Sequence, residues 1–218
     1  MDMIKTDNSP KRGRFIVFEG IDGSGKTTQI EMLTERLRKE GRMIYTTAEP
    51  TNSVTGGLLR DALGGVSKRT ACEMAALFVI DRIFHNVNPI YGIKKMLSMG
   101  YDVICDRYYY SSLAYQGSET DFEWVKNMNI DCPEIMTPDV CIFLDASPSE
   151  CLRRIGSDRA VKEIYEKEER LTSFRKRYME VFDMLKDTDN VVVINTERPI
   201  DQVAEDVFQA VNDVKFCD

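Results

Sequence analysis

The stretch Gly20-Ile21-Asp22-Gly23-Ser24-Gly25-Lys26-Thr27 decides the fold of this chain. It matches the pattern G-x-x-x-x-G-K-[ST], and it lies between the apolar run RFIVFE at 14–19 and a helical pattern from about residue 26. Glycines let such a loop wrap an anion with inward-pointing N–H groups, and the following helix adds its positive N-terminal end. The Lys26 ammonium suits the β- and γ-phosphates of a nucleotide, and the Thr27 hydroxyl suits Mg²⁺. The stretch therefore predicts a nucleoside triphosphate site with Mg²⁺.

Apolar runs along the rest of the chain predict a parallel sheet. Five of them are short, rich in β-branched or aromatic residues and show little alternation, at 14–19, 42–47, 102–105, 139–146 and 190–195. Such runs are typical of strands covered on both faces. Helical patterns separate them, at about 26–40, 70–99, 121–129, 148–156, 163–187 and 199–214. We therefore predict an α/β fold of three α/β/α layers with a five-stranded parallel sheet.

Composition limits the classes of protein that this chain can represent. Its 218 residues, 43% of them hydrophobic, suffice for one core, so we expect one domain over 13–218 and a disordered polar tail over 1–12. The net charge of −7 argues against nucleic acid as a partner, and no apolar run is long enough to cross a membrane. Six cysteines without C-x-x-C spacing and a single histidine disfavour a zinc site and favour a cytoplasmic protein.

Two further segments carry residues suited to a second anion and a flat ring. Asp106 and Arg107 end the predicted third strand, where Asp106 could hold Mg²⁺ through water and Arg107 could clamp a phosphate; a structural ion pair is the alternative. Phe78 and Arg82 lie four residues apart, on one helix face, where a ring and a guanidinium would suit a base. An ordinary amphipathic helix explains that spacing equally well, and His85 is expected at the helix surface or satisfied by neighbours.

The motifs together resemble those of thymidylate kinases, a family of P-loop nucleoside monophosphate kinases. The matching segments run in family order: FEGIDGSGKTTQ at 18–29, EP at 49–50, LFVIDRIFH at 77–85, DRYYYSSLAYQG at 106–117 and PDVCIFLDASP at 138–148. The resemblance implies Mg²⁺-dependent transfer of a phosphoryl group from ATP to dTMP, giving dTDP and ADP. It also implies a short lid, expected at about 153–170, and a homodimer.

The resemblance further implies roles for individual residues. Catalytic roles fall to Lys26, Asp22, Arg107 and the lid residue Arg159. ATP and Mg²⁺ would be bound by Gly20, Ile21, Asp22, Gly23, Ser24, Gly25, Lys26, Thr27, Thr28 and Arg154, with Thr27 and Asp106 as metal ligands. Substrate-binding residues would be Glu49, Phe78, Arg82, Arg107, Ser111, Ser112, Tyr115 and Gln116. Within that set Phe78 would stack on thymine, Arg82 would reach a thymine carbonyl, and Tyr115 would disfavour a ribose.

The chain departs from the family pattern at two positions. Some members place a catalytic arginine where this chain has Gly23, and many bacterial members place one where it has Ala48. The arginine missing at Ala48 is associated with the acceptor phosphate, and Arg60 is a candidate replacement. The alternative functions are a kinase for another small nucleotide such as dUMP or UMP, and a P-loop protein that binds nucleotide without catalysis. No N-K-x-D tetrapeptide supports a guanine-nucleotide switch.

Overall fold

The computed structural model describes residues 12–156 and 161–214, without the side chains of 161–167. Five parallel strands form one sheet in the order β2-β3-β1-β4-β5. The strands are β1 Phe15–Glu19, β2 Ile44–Ala48, β3 Asp102–Asp106, β4 Val140–Asp145 and β5 Val191–Asn195. The helices are α1 Lys26–Lys39, α2 Val54–Leu63, α3 Ala71–Val87, α4 Ile93–Ser98, α5 Tyr109–Ala114, α6 Gln116–Glu119, α7 Phe122–Ile130, α8 Pro148–Ile155, α9 Val161–Leu185 and α10 Ile200–Asn212. The predicted five-stranded α/β architecture is confirmed.

Two apolar cores cover the two faces of the sheet, which explains why the strand sequences do not alternate. Phe15 and Val17 of β1 belong to the core shared with α3, α5 and α9, whereas Ile16 and Phe18 belong to the core shared with α1 and α10. Successive side chains of a strand point to opposite faces, so a strand covered on both faces is apolar throughout. The middle parts of the central strands are consequently inaccessible to solvent, and their polar residues, such as Asp102 and Asp106 of β3, lie at the strand ends.

Helix boundaries differ from the sequence-based expectation in one long region. The continuous helix expected over 70–99 is wrong: α3 ends at Val87 and α4 begins at Ile93. Pro89 lies in the break, where its missing N–H and its ring oppose a continuing helix. The helices α2, α5 and α6 are absent from the sequence-based expectation. In α2, which begins VTGGL, two glycines hide the helical pattern. Ser53 caps α2 by accepting a hydrogen bond from the Gly56 N–H.

Glycines end two of the expected helices. Gly41 follows α1 with φ 81°, and the Arg42 N–H donates to the Leu37 carbonyl at 3.0 Å. Gly100 follows α4 with φ 87°, and the Tyr101 N–H donates to the Met96 carbonyl at 3.2 Å. Left-handed glycines with these bonds satisfy helix-end carbonyls, and they return the chain to β2 and β3.

The structure describes only part of the expected tail and of the expected lid. Residues 1–11 of the expected tail lie outside the described residues, and Arg12 is bound to Asp139 at 2.9 Å between Nη1 and Oδ2. The expected lid divides among the end of α8, residues 157–160 outside the described region, and the start of α9. Among the described helices, none combines the length and the hydropathy that crossing a membrane would require.

Candidate active site

The phosphate loop connects the end of β1 to the start of α1 and is packed tightly against the domain. Gly20, Gly23 and Gly25 have φ values of 148°, 85° and 101°, which side-chain-bearing residues rarely adopt. A Cβ at Gly23 would lie 2.5 Å from the Cys151 carbonyl oxygen of α8. In this arrangement residue 23 has no room for a side chain, so an arginine at this position could not be accommodated.

Lys26 is buried under the loop, with 8% of its surface exposed. Its Nζ donates to the carbonyl oxygens of Gly20 at 2.9 Å and Ile21 at 3.3 Å. Burial lowers the pKa of Lys26, and the nearby charge of Arg107 adds to this effect, whereas neighbouring carboxylates oppose it. An ammonium group in such surroundings has lost much of its hydration, so a phosphate anion beside it would be held strongly.

Asp106 and Thr27 line the same groove, between α1 and the end of the sheet. The Asp106 Oδ1 atom is buried and has no hydrogen-bond partner among the described residues. A buried carboxylate oxygen without a partner is costly, and carboxylate and hydroxyl oxygens are the ligand atoms that Mg²⁺ prefers. The residues present therefore fit a magnesium ion. Thr28, the next residue of α1, is exposed at the same helix end.

Arg107 is fastened to the phosphate loop and to α9. Among the described residues, Arg107 is the one non-glycine residue whose φ is positive, at 68°. Its N–H donates to the Phe18 carbonyl at 2.9 Å. Its Nη2 lies 2.5 Å from Asp22 Oδ1, and its Nη1 donates to Ser111 Oγ at 3.1 Å and to the Tyr178 hydroxyl at 3.4 Å. An uncommon backbone conformation held by this many contacts is typical of functional sites.

The buried carboxylate Glu19 binds the same two hydroxyl groups as Arg107, those of Ser111 and Tyr178. It accepts hydrogen bonds from the Tyr108 N–H at 2.9 Å, the Ser111 hydroxyl at 2.7 Å and the Tyr178 hydroxyl at 2.9 Å. Burial raises the pKa of the Glu19 carboxyl, while Arg107 and these hydrogen bonds lower it. Sequence reasoning missed Glu19 and Tyr178. An acidic residue that ends a buried apolar strand directly before Gly20 was the available signal.

A cleft of about 550 Å³ opens beside the loop and Arg107. Its lining includes seven of the eight expected substrate-binding residues, namely Glu49, Phe78, Arg82, Arg107, Ser111, Tyr115 and Gln116, together with Asp22 of the phosphate loop. Apolar side chains complete the walls: Leu63, Met74, Leu152, Ile155, Leu171 and Phe174. Ser112 is 1% exposed and does not line the cleft. Arg170 of α9 does line it and was not expected from the sequence.

Arg82 is 1% exposed and is surrounded by hydrogen-bond acceptors. Its Nε donates to Glu49 Oε2 at 2.8 Å, and its Nη2 lies 2.7 Å from the same oxygen. Nη1 and Nη2 both donate to Ser112 Oγ at 3.2 Å, and Nη1 also donates to Asn129 Oδ1. These are four hydrogen bonds and one close ion-pair contact, so each nitrogen of the guanidinium has an acceptor beside it. Ser112 therefore supports Arg82 and does not itself line the cleft.

Comparison with known proteins identifies the family of this chain. A family model described as thymidylate kinase matches residues 18–207. The chain belongs to the thymidylate kinase family. A probable thymidylate kinase of Methanococcus aeolicus is 39% identical over 210 residues, covering 93% of this chain and 98% of the relative. One of Pyrococcus horikoshii is 37% identical over 206 residues (92% and 96%), and the thymidylate kinase of Desulfotalea psychrophila is 36% identical over 206 residues (94% and 96%).

The resemblance found in the motifs is thereby confirmed, and it extends over nearly the whole chain. As a member of the thymidylate kinase family, this protein is a nucleoside monophosphate kinase of the transferase class. The glycine loop after β1 is the structural counterpart of the motif at 18–29, and the Asp-Arg pair at the end of β3 is that of the motif at 106–117.

Three arginines for which the family resemblance suggests roles lie in different parts of the chain. Arg154 bridges the loop and the segment after β5, since Nη2 donates to the Thr196 carbonyl at 2.7 Å and Nη1 to the Ser24 carbonyl at 3.3 Å. Arg60 donates to the carbonyl oxygens of Pro50 and Thr51 and does not line the cleft. Arg159 lies outside the described residues.

Proposed function

We propose that this protein catalyses Mg²⁺-dependent transfer of the γ-phosphoryl group of ATP to dTMP, forming dTDP and ADP. The observation that carries the proposal is the junction of the phosphate loop and the cleft: Asp22 of the loop and Arg107 of the cleft are in direct contact, at 2.5 Å. Phosphoryl transfer needs two anions placed in line and the charge between them neutralised. A donor site and an acceptor site that share an ion pair support this arrangement.

The donor half would bind ATP through the glycine loop, with Lys26 at the β- and γ-phosphates. Mg²⁺ would be held by Thr27 and, through water, by Asp106, and when bound it would neutralise charge on the phosphate oxygens. Arg154 and the segment at Thr196 would lie against the adenine side, since Arg154 contacts both Ser24 of the loop and Thr196. The unpartnered Asp106 Oδ1 supports the metal site.

The acceptor half would bind dTMP in the cleft. Phe78 would stack on thymine, and Arg107 would bind the phosphate. The two Arg82 donors shared by Ser112 have the longest of its hydrogen bonds, 3.2 Å, so they are the donors most readily redirected to a thymine carbonyl. Tyr115 packs on Phe174 with ring centres 4.2 Å apart, and this fixed ring supports its role against a ribose hydroxyl. Asp22 would reach the sugar 3′-hydroxyl, and Ser111, Gln116 and Glu49 would complete the site.

Two cations from the α8–α9 region would supply the remaining charge at the transition state. Arg159 remains our candidate within the lid at about 153–170. Arg170 is a candidate for the acceptor phosphate, the role expected of the arginine that many bacterial family members have in place of Ala48. Arg170 lines the cleft and Arg60 does not. A lid that closes on both substrates would also exclude water from the transferred phosphoryl group.

The test of the function is ADP formation from Mg-ATP with dTMP, dUMP, UMP, CMP, AMP and GMP offered separately. We expect strong dependence on dTMP, weaker turnover of dUMP and background rates with the ribonucleotides, and loss of turnover with EDTA that excess Mg²⁺ restores. Preference for UMP would refute the assignment of the acceptor and the role of Tyr115. Nucleotide binding without acceptor-dependent ADP would leave only a non-catalytic binding protein.

The protein would act as a cytoplasmic homodimer. Apolar side chains of α2 and α3 face outward: Val54 is 85% exposed, Ile80 is 50% exposed and Leu58 is 40% exposed. Such a surface favours burial against a second copy. Leu58→Glu with Ile80→Glu should halve the mass measured by sedimentation, whereas Val193→Glu on the outer strand should not; equal masses would contradict this face. The five unpaired cysteines of the described chain support a cytoplasmic location.

A further inference from the structure

The chain's one histidine is buried beside the acceptor cleft and is not at the helix surface. His85 is 3% exposed, and it does not line the cleft. Its Nδ1 lies 3.0 Å from Glu49 Oε1, and its Nε2 lies 2.7 Å from Thr47 Oγ1. An ionised carboxylate only accepts hydrogen bonds, so Nδ1 carries a hydrogen. With the hydrogen on Nδ1, Nε2 is available to accept from the Thr47 hydroxyl, and both contacts are satisfied.

Glu49 connects this histidine to Arg82. Its Oε1 atom bonds His85, and its Oε2 atom bonds Nε and Nη2 of Arg82. The Glu49 side chain is 2% exposed, so water does not compete for these contacts. Because a carboxylate held at both oxygens has one orientation, the His85 contact restricts where Glu49 can hold the guanidinium.

The segment that carries Glu49 is fastened to the same helix by a second buried group. Asp81, 1% exposed and four residues before His85, accepts the Thr51 N–H at 2.7 Å. The hydroxyls of Thr51, Thr55 and Ser53 lie 2.6, 2.7 and 3.0 Å from its other oxygen. The chain around Glu49 is therefore hydrogen-bonded to α3 on both sides, before it at Thr47 and after it at Thr51.

We propose that His85 is a positioning residue for the acceptor base: through Glu49 it aligns Arg82 for the carbonyl that distinguishes thymine from cytosine. This inference rests on the proposed function, because it assumes that Arg82 reads the base. A misaligned guanidinium would lose part of its bond to a carbonyl acceptor and would discriminate less against an amino group at the same ring position. ATP, bound by the loop, would be unaffected.

The test compares two amide variants of His85 that keep different halves of its bonding. In His85→Asn the amide nitrogen can replace Nδ1 and keep the Glu49 contact, whereas in His85→Gln the longer side chain reaches toward Thr47 and leaves Glu49. Purified variants are assayed for kcat and KM with dTMP, dCMP and ATP. Tyr110→Phe is the control for lost stability, because it removes a buried 2.7 Å bond to Asp189, which does not line the cleft.

We expect His85→Gln to raise the KM for dTMP about tenfold, as the loss of a hydrogen bond to a charged group predicts. The ratio of kcat/KM for dTMP over dCMP should fall with it, the KM for ATP should stay unchanged, and His85→Asn should resemble the wild type. Equal behaviour of the two variants, or equal loss toward dTMP and ATP, would overturn the positioning role. A wild type without dTMP turnover would instead overturn the proposed function, and with it the role of Arg82.

Discussion

Arg107 and Asp22 form an ion pair across the boundary between the phosphate loop and the acceptor cleft, with 2.5 Å between Nη2 and Oδ1. Asp22 is 72% exposed at its side chain and Arg107 is 23% exposed, so the pair faces the space that a substrate would enter. An exposed ion pair contributes little to stability. Its significance is therefore functional: an incoming phosphate would compete with Asp22 for Arg107 and leave the Asp22 carboxylate available to a sugar hydroxyl.

The first prediction concerns this carboxylate. In the wild type, removal of the acceptor's 3′-hydroxyl should lower kcat/KM about tenfold, since one hydrogen bond to a charged group is lost. In Asp22→Ala the acceptors dTMP and 3′-deoxy-dTMP should be used almost equally. Steady-state kinetics with both acceptors checks this. If Asp22→Ala still discriminates tenfold, the carboxylate does not contact the sugar.

The second prediction concerns the acceptor phosphate. Arg107→Ala should lower kcat/KM for dTMP about 10²-fold or more, because the charge-assisted hydrogen bonds from the guanidinium to the acceptor phosphate are lost. Calorimetry should show little change in ATP affinity. Arg107→Lys should recover only part of the loss, because it lacks the planar fork of donors. Arg36→Ala, which removes a surface pair with Glu205, is the control. Equal losses for dTMP and ATP would place Arg107 outside the acceptor site.

The third prediction separates the backbone of Arg107 from its side chain. A φ of 68° costs a residue with a Cβ about 1 kcal/mol, and glycine avoids that cost. Arg107→Gly should therefore be more stable than Arg107→Ala by about 1 kcal/mol in urea unfolding, although both variants lack the guanidinium. An alanine variant as stable as the glycine variant would show that residue 107 leaves the left-handed region once its side-chain contacts are removed.

The fourth prediction concerns Lys26. Lys26→Ala should lower kcat about 10²- to 10³-fold, as the removal of one charge-stabilising donor does in other active sites. Circular dichroism should show the fold retained. Lys39→Ala serves as the matched control, since the Lys39 side chain is 74% exposed. Substantial residual turnover in Lys26→Ala would contradict a role at the transferred phosphate.

The fifth prediction concerns acid sensitivity and lies far from the nucleotide. Burial alone would raise the pKa of Asp102, but hydrogen bonds from Arg14 and Arg42 outweigh burial and lower it. The ionised carboxylate therefore stabilises the fold above its unfolded pKa of about 3.9, and this contribution is lost as the pH falls through the lower folded pKa. Asp102→Asn should be less stable by about 3 kcal/mol at pH 7, with the difference narrowing below about pH 4. A difference that does not change between pH 7 and pH 3 would contradict the lowered pKa.

Local patterns in the sequence predicted the sheet and the phosphate loop. Apolar runs without alternation predict strands covered on both faces, and glycines at 20, 23 and 25 predict a loop with positive φ values. The predicted helix over 70–99 is too long because the apolar pattern continues past Pro89, whereas the helix itself ends at Val87. The helix α2 was missed because its stability comes from packing on α3 and from the Ser53 cap, despite glycines at 56 and 57.

The sequence by itself determined the α/β class, the nucleotide loop, the family and eight of the residues that line the cleft, because these depend on periodicity and on motifs of neighbouring residues. Only the tertiary structure decided how those residues are paired. Arg82 is held by Glu49 after β2, Ser112 of α5 and Asn129 of α7, and His85 meets Thr47 and Glu49. These partners are 30 to 47 residues away from Arg82 along the chain. No local spacing encodes such contacts, since they exist only once the sheet and its helices have packed.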